Sequence, residues 1–574
     1  MRNTLTKKAS LAIALAAVLL APAAAHAQTF TPLATAELDA DKPGEAKLVV
    51  TASTPGADWG TAGKESALLE VQVDGKYVTN LVTFNGATPL DYELALGKVS
   101  AGKHTITVTL DAAKSPVKDA VVSALKPSLA ADDDLVARYA PILYGRNLPT
   151  VPGEFENVNT DVPLLLYHTR STDAQGNRVI EYTMTWSNED GGTNSPSLMA
   201  RWGRTTDIEW LYRVTVDANG NRISDQYQSS GHGTVAFDGL REDDHPLLQV
   251  TTSNNNMSSV TAYNTSSGYR FFLDSAVQLA ADRAREWIMD THPWAYLVMA
   301  KEMAREGKIE AVSNPATTAM SDQRNYLFAE IKKTTSYASS PGSAWAGTAI
   351  AALVGDTWYQ SNHGVAGDSV QRDDPAATTI ELPPGTKPAD IKAIKAVAVR
   401  NGNPPGYKID VSAINRGFLL GSDYLPTTSF INWKGSETLT PERTEAIIWQ
   451  NANVVGGGAG GNVPATLALS LGSPATFGAF TPGVEKTYVA STTADVVSTA
   501  ADATLTVSDP GHLTNGASEL AQPLQVNLSK SSWSGPASHD PVTIAFSQKI
   551  GANDALRTGA YNKTLTFTLS TTNP

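Results

Sequence analysis

The chain has 574 residues, a formal net charge of −13 and no cysteine. The lack of cysteine excludes disulfides, a thiol nucleophile and a zinc–thiolate site. An acidic chain with no basic cluster argues against nucleic acid and anionic membranes as partners. Several domains are expected at this length, because one domain usually takes about 100–200 residues.

The first residues have the pattern of a secretory signal peptide. Lys7 and Lys8 precede an apolar run over 11–22, and Ala25-His26-Ala27 matches a small-x-small cleavage site. The apolar run is shorter than the ~20 residues of a membrane-spanning helix, and no later stretch is long enough. We therefore expect cleavage after Ala27, no transmembrane segment, and a protein that is secreted or associated with the cell surface. An uncleaved N-terminal anchor is the alternative.

Short runs of alternating apolar and polar residues, separated by turn residues such as Asp74-Gly75, recur through most of the chain. We predict a mostly β, multidomain fold in which β-sandwiches flank a central α+β domain that is itself built on an antiparallel β-sandwich. The predicted parts are a signal peptide (1–27), an accessory β-sandwich (28–129), the central functional domain (130–453), a glycine-rich linker (454–464) and a C-terminal β-sandwich surface module (465–574).

The central domain also contains a stretch with helical spacing. Apolar residues from Ala276 to Ile288 recur every three to four positions, and Pro293 interrupts the pattern. A second helix is predicted over Trp294–Glu306, ended by Gly307.

One strand of the central domain, beginning at Asp207, is the candidate site. Side chains alternate along a strand, and the apolar residues share one predicted face: Ile208, Trp210, Tyr212 and Val214. The charged residues share the other face: Asp207, Glu209 and Arg213. Two carboxylates at positions i and i+2 lie about 7 Å apart, close enough to hold one cation or to flank one substrate.

Three interpretations of the carboxylate pair stay open. Asp207 and Glu209 could be metal ligands for a divalent cation (Ca²⁺ or Mg²⁺), since hard cations prefer oxygen ligands. They could instead be catalytic, because two carboxyl groups with separated pKa values perform glycoside hydrolysis. In the third interpretation the face is solvated, and nearby arginines such as Arg204 and Arg213 neutralise it.

Other residues near this strand complete the predicted site. Asp190, in the glycine-rich loop before the strand, and His232, between two glycines after it, are further catalytic candidates. Small neighbours such as Gly231 and Gly233 let a ligand approach closely. The predicted substrate-binding residues are aromatic or cationic: Trp186, Trp202, Arg204, Arg213 and His245. A packing or capping role is the alternative for each histidine.

Segments of 135–260 resemble two related families, the vacuolar-protein-sorting sixty-two-like proteins and the necrosis-inducing toxin-like proteins. The similar segments are Tyr139-Ala140-Pro141-Ile142-Leu143-Tyr144, Gly203–Glu209 and the run after His245-Pro246. Gly203, Asp207 and Glu209 match the toxin motif in spacing, whereas Arg204 and Thr206 replace its two histidines. The resemblance implies a β-sandwich with an acidic, cation-holding site that meets glycan head groups.

The C-terminal region resembles a β-sandwich module of exported actinobacterial surface proteins. The similar segments are Phe477–Val484, Ala503–Pro510, Leu520–Leu524 and Tyr561–Leu569. This resemblance implies display or attachment rather than chemistry.

The leading hypothesis is an exported protein that acts on extracellular polysaccharide or glycoconjugate, as a glycoside hydrolase using the carboxylate pair. The alternative is a non-enzymatic, cation-dependent glycan-binding adhesin or toxin-like protein. A purely structural surface protein is a third possibility.

Overall fold

The computed structural model describes residues 32–146, 157–189, 194–263, 268–373, 375–452, 466–500 and 502–571. Strands take 48% of the chain and helices 8%, so the predicted mostly β, multidomain fold class is confirmed. The chain divides into two compact units, Met1–Val454 and Val455–Pro574. The predicted signal peptide, the predicted glycine-rich linker and Asp190 lie outside the described residues.

The first strands of the first unit form a β-sandwich. They are β1 (Ala34–Ala40), β2 (Gly44–Ser53), β3 (Leu68–Val73), β4 (Lys76–Val82), β5 (Leu90–Val99), β6 (Gly102–Leu110) and β7 (Val121–Leu129). One sheet has the order β1-β6-β3-β4 and the other the order β5-β2-β7. Asp74 and Gly75 connect β3 to β4 with φ of 52° and 76°, as a tight two-residue hairpin turn requires.

The site lies in the region that follows. Its elements are α1 (Leu135–Tyr139), β8 (Ile142–Tyr144), β9 (Pro163–Thr172), β10 (Arg178–Trp186), α2 (Ser195–Trp202), β11 (Asp207–Val216), β12 (Arg222–Gln228), β13 (Thr234–Ala236), β14 (Arg241–Glu242), β15 (His245–Val250), β16 (Met257–Ser259) and β17 (Arg270–Phe271). One sheet has the order β13-β12-β11-β10-β9 and is antiparallel throughout. The other has the order β14-β15-β8-β17, in which β8 and β15 are parallel. These sheets share one hydrophobic core with the first sandwich.

Two helices follow, α3 (Trp287–Thr291) and α4 (Trp294–Arg305). The predicted second helix is confirmed, but the predicted helix over 276–288 is wrong, because helix begins only at Trp287. The preceding segment is extended: His168 N donates to Val277 O, and Leu279 N donates to His168 O, both at 2.9 Å. The free edge of β9 thus satisfies backbone groups that a helix would otherwise have paired. None of the described helices has the length and apolarity to cross a membrane.

The rest of the first unit is a second sandwich with its own core. Its strands are β18 (Tyr326–Ser336), β19 (Trp345–Val354), β20 (Thr357–Gln360), β21 (Ala376–Glu381), β22 (Ile391–Asn401), β23 (Lys408–Phe418), β24 (Ile431–Leu439) and β25 (Glu445–Gln450). They form two four-stranded sheets, β21-β18-β23-β24 and β20-β19-β22-β25. A third core, around α4, packs β11 against β18 through Ile208, Met299 and Phe328.

The second compact unit is all β. Its strands are β26 (Leu467–Leu471), β27 (Lys486–Ser498), β28 (Ala503–Val507), β29 (Thr514–Asn515), β30 (Ser518–Glu519), β31 (Gln525–Leu528), β32 (Ser532–Trp533), β33 (Ala537–Ile550) and β34 (Phe567–Ser570). The main sheets have the orders β26-β27-β33-β31 and β32-β28-β34. Their inward side chains form a separate core that includes Val496, Leu505 and Ile544.

Candidate functional site

Strand β11 carries the predicted carboxylate pair, but its side chains do not alternate as predicted. In the pairing with β10 the register shifts between Trp210 and Tyr212, so that Leu211 is an extra, bulged residue. The bulge exchanges the two faces along the strand. Ile208 therefore packs in the core around α4, whereas Tyr212 packs in the core shared with the first sandwich. The prediction of one apolar face is wrong for this reason.

Asp207 belongs to a buried group that we call the inner cluster: Arg146, Asp161, Asp207 and Asn255. The Asn255 side-chain nitrogen donates to Asp207 Oδ2 at 3.0 Å and to Asp161 Oδ1 at 2.9 Å. Arg146 Nη2 donates to Asp161 Oδ2 at 2.6 Å. All four residues are at most 2% exposed. The Asp207 carboxyl group is therefore sealed from solvent.

The surroundings of Asp207 favour its protonated form. Burial raises the pKa of Asp207 well above its ordinary value, and the negative charges of Glu209 and Glu189 raise it further, against the opposing charge of Arg204. Burial likewise raises the pKa of Glu189. Carboxyl groups this close disfavour one another's ionisation. The strand thus presents one carboxyl group that tends to hold its proton, two residues before Glu209.

Glu209 belongs to a second group, the outer cluster: Glu209, Gln228, His232, Asn254 and Asn256. Gln228 Nε2 donates to Glu209 Oε2 at 2.7 Å and lies 2.8 Å from His232 Nδ1. The imidazole lies 3.7 Å from the same carboxylate oxygen. Nδ2 of Asn254 lies 3.3 Å from His232 Nε2, and Nδ2 of Asn256 lies 3.5 Å from His232 Nδ1. Three carboxamides and a carboxylate therefore surround one imidazole.

The outer cluster opens to solvent through His232. Its side chain is 55% exposed, against 11% for that of Glu209. The backbone at His232 has φ of 61° and follows Gly231 at 72°. A left-handed conformation costs a non-glycine residue about 1–2 kcal/mol. An exposed histidine held in this conformation above a carboxylate is the kind of strained residue that marks functional sites.

Three of the predicted substrate-binding residues lie away from the outer cluster. Trp186 is 1% exposed. His245 is also buried, with Nδ1 2.9 Å from Ala140 O and Nε2 3.1 Å from Glu45. Arg213 forms an ion pair with Glu181 on β10. These side chains are buried or paired within the protein, and none of them has a contact with Glu209 or His232 among the described residues.

The two remaining predicted substrate-binding residues lie at the end of α2 (Trp202) and just after it (Arg204). Arg204 is buried, with Nε 3.3 Å from Glu286, and also donates to the Thr206 carbonyl oxygen. Trp202 is half-buried and stacks with arginine side chains. Gly203 ends α2 at φ of 66°, and a Cβ there would lie 3.2 Å from Thr378 N. The backbone conformation and the close contact therefore explain the glycine at position 203 without reference to the toxin motif.

The oxygen atoms around β11 are of the chemical type that a hard cation prefers. Among the described residues, no group of three or more His, Cys, Asp or Glu side chains is arranged to hold a metal. Asp207 and Glu209 nevertheless lie beside two buried carboxamide oxygens, Asn255 Oδ1 and Gln228 Oε1, that have no hydrogen-bond partner within the described part of the chain. Carboxylate and carboxamide oxygens are the ligands that Ca²⁺ prefers.

Residues that the sequence did not single out complete both clusters. Asp161 and Gln228 come from separate parts of the chain, and 254–256 supplies three consecutive asparagines after β15. Three consecutive carboxamides shortly after a strand are a usable signal, because Asn is favoured in tight turns and offers both donors and acceptors. Asn255 points inward and its two neighbours point outward, so this turn contributes to both clusters.

No protein-family model and no curated protein matches the sequence. The resemblances to the two central families and to the surface module thus stay predictions. Among solved structures, a sugar-binding EclA C-terminal domain is 17% identical over 17% of this chain and 68% of that one, with a TM-score of 0.14. A ruminal GH26 endo-β-1,4-mannanase is 10% identical over 24% of this chain and 25% of its own, with a TM-score of 0.14. The Amycolatopsis orientalis exo-chitosanase CsxA is 8% identical over 90% and 89%, with a TM-score of 0.11. At these TM-scores the likenesses carry no argument about fold or function.

Proposed function

We propose that this is an exported protein that binds extracellular glycans at the outer cluster. The observation that carries the proposal is the composition of that cluster: one carboxylate, one exposed imidazole and three carboxamides at a partly open surface. Sugar hydroxyls both donate and accept hydrogen bonds, and these side chains supply both functions side by side. A few convergent polar groups of this kind fix the orientation of a ligand.

The burial of Asp207 favours binding over hydrolysis. Glycoside hydrolysis needs two carboxyl groups that both reach the scissile bond. Asp207 is 1% exposed and lies beneath Asn255, so a polymer cannot touch it in this arrangement. Glycoside hydrolysis is the second candidate, because the raised pKa of Asp207 beside Glu209 is what a general acid requires.

A divalent cation is part of the proposal. Asp207 and Glu209 would hold Ca²⁺ or Mg²⁺, with the carboxamide oxygens of Asn255 and Gln228 as further ligands. The cation would supply positive charge that offsets the repulsion between the two carboxylates. Arg204 already offsets part of that repulsion.

Export and surface location are supported by the signal-peptide pattern that ends at Ala27. N-terminal sequencing of the protein recovered from culture medium or from the cell surface should begin at Gln28. Recovery of the intact N-terminus from the cytoplasm would contradict export.

Binding and hydrolysis are separated by one experiment. The protein is passed over a panel of immobilised polysaccharides, with and without EDTA, and the same polysaccharides are assayed for new reducing ends. The proposal predicts retention on at least one polysaccharide, loss of retention in EDTA, and no product. Product formation that Glu209→Gln abolishes would establish the hydrolase instead. No retention and no product would contradict both.

A further inference from the structure

Trp202, at the end of α2, lies within a cluster of arginines. The guanidinium carbons of four arginines lie close to its ring centroid: Arg372 at 4.0 Å, Arg285 at 4.7 Å, and Arg201 and Arg204 at 5.8 Å. We call these four residues the arginine cluster. They come from α2, from the turn after it, from the segment before α3 and from the approach to β21. A guanidinium near an indole ring is attracted to its face and held in orientation.

Two of the four guanidiniums are paired with carboxylates. Glu286 Oε1 lies 3.3 Å from Arg204 Nε and 3.6 Å from Arg285 Nε. Glu189 lies 3.9 Å from Arg204. Although burial alone would raise it, the surrounding arginines hold the pKa of Glu286 below its ordinary value. Glu286 is therefore a permanent counter-charge, and it serves Arg204 and Arg285 together.

The other two guanidiniums, of Arg201 and Arg372, form no ion pair within the described residues. Arg372 donates to carbonyl oxygens, that of Arg201 at 2.7 Å and that of Ala377 at 3.3 Å. Burial, opposed by the charge of Glu286 and reinforced by the nearby arginines, lowers the pKa of Arg372 to about 10. Within ion-pairing distance, the four guanidiniums therefore face two carboxylates, those of Glu286 and Glu189.

The arginine cluster is also reachable from solvent. Arg201 and Trp202 are half-buried, and the side chain of Arg285 is 31% exposed, whereas the guanidinium of Arg372 lies deeper against backbone carbonyl oxygens. We propose that this cluster binds the oxyanion group of an acidic glycan, a carboxylate of a uronic acid or a sulfate ester. The inference rests on the proposed glycan binding and gives it a substrate class.

Two physical arguments support an oxyanion. A guanidinium presents a planar fork of donors that matches carboxylate and sulfate oxygens, and each such charge-assisted bond is stronger than a neutral one. The protein as a whole has a net charge of −13 and repels polyanions at long range. Binding of an acidic glycan would therefore require a local site with excess positive charge.

The test compares three soluble polymers of similar length: neutral dextran, polygalacturonate and dextran sulfate. Affinities of the full-length protein are measured by calorimetry at two salt concentrations. We expect at least one acidic polymer to bind about tenfold more tightly than dextran, with the preference reduced at high salt. The two acidic polymers distinguish a carboxylate from a sulfate ligand.

Arginine variants test whether the preference for acidic polymers arises at the arginine cluster. Arg201→Gln and Arg285→Gln should each weaken binding of the preferred acidic polymer about tenfold or more, the value of a charge-assisted hydrogen bond. Arg324→Gln is the matched control, because Arg324 also lies over an aromatic ring, at 4.6 Å from Tyr424, but is paired with Asp322. Thermal unfolding of every variant checks that it is folded.

The outcomes separate this inference from the proposed function. Acidic preference that is lost in Arg201→Gln and kept in Arg324→Gln supports the arginine cluster. Equal binding of all three polymers, or an acidic preference that both arginine variants keep, would overturn it while leaving glycan binding intact. Acidic binding that needs the arginines but survives Glu209→Gln would instead overturn the outer cluster as the site. Failure of all polymers to bind would contradict both.

Discussion

The inner and outer clusters share two segments of the chain and yet differ in their exposure to solvent. β11 supplies Asp207 to one and Glu209 to the other, and the 254–256 turn supplies Asn255 to one and its neighbours to the other. The inner cluster is sealed and contains a buried ion pair, whereas the outer one ends in an imidazole with a 55% exposed side chain. Polar groups that have their hydrogen-bond partners inside the protein stabilise the fold. Polar groups with unused donors and acceptors at the surface can bind a ligand.

The largest effect is expected from breaking the inner ion pair. Asp161→Asn removes the negative charge that faces Arg146, whose side chain is 1% exposed. Removing one partner of a buried pair lowers the free energy of unfolding by about 3–5 kcal/mol. Chemical denaturation at neutral pH measures this change.

The control for that variant is Glu181→Gln, which breaks the pair with Arg213. The two side chains of this pair are 26% and 36% exposed, so the expected loss is below about 1 kcal/mol. Similar losses for Asp161→Asn and Glu181→Gln would contradict the distinction between a sealed and an open region.

A smaller, pH-dependent effect is expected for Asp207→Asn in the cation-free protein, measured in EDTA. The raised pKa means that the folded protein binds this proton more tightly than the unfolded chain does. The contribution of this proton to wild-type stability is therefore complete below the ordinary aspartate pKa of 3.8. It is lost as the pH rises towards the pKa that Asp207 has in the folded protein. The variant has no proton to lose there, so it should be more stable than wild type at pH 7, by about 1–3 kcal/mol.

Unfolding curves at pH 4 and pH 7 check this sign. The advantage of Asp207→Asn should be smaller at pH 4 than at pH 7. In EDTA, an advantage that grows on acidification would mean that Asp207 is ionised in the folded protein without a cation. With Ca²⁺ in place of EDTA, the proposed cation holds Asp207 ionised, so the advantage of the variant should be lost.

The smallest effect on stability is expected in the outer cluster. His232→Gly removes the strain of a non-glycine residue in the left-handed conformation, which stabilises the fold. Glycine also raises the backbone entropy of the unfolded chain, which destabilises the fold, so the free energy of unfolding should change by no more than about 0.5 kcal/mol. Glycan affinity should nevertheless fall about tenfold or more. A loss of several kcal/mol in stability would assign His232 to the fold rather than to the site.

The sequence was sufficient to predict strand β11, which carries Asp207 and Glu209, because turn residues and apolar periodicity are local signals. The bulge at Leu211 was not predictable in this way, since it depends on how β11 pairs with β10. The extended segment around Val277 was likewise decided by the edge of β9 rather than by its own helical spacing. In both places a tertiary partner overrode the local pattern.

The candidate site was predictable only in part, for the same reason. The glycines on either side of His232 indicated it as a candidate, but no local sequence signal indicates its partner Gln228. Arg372 reaches Trp202 from 170 positions later in the chain. Composition shows no basic cluster, because the arginines that form one are dispersed in sequence and meet only in the fold.

The most direct test of the account is the affinity of the preferred glycan for two outer-cluster variants. Calorimetric titration of wild type, Glu209→Gln and His232→Gly, each with an unfolding curve, separates binding from folding. We expect the stability of His232→Gly to stay within about 0.5 kcal/mol of wild type, and the affinity to be about tenfold or more weaker in both variants. Wild-type affinity in both folded variants would contradict it and would place the glycan site elsewhere.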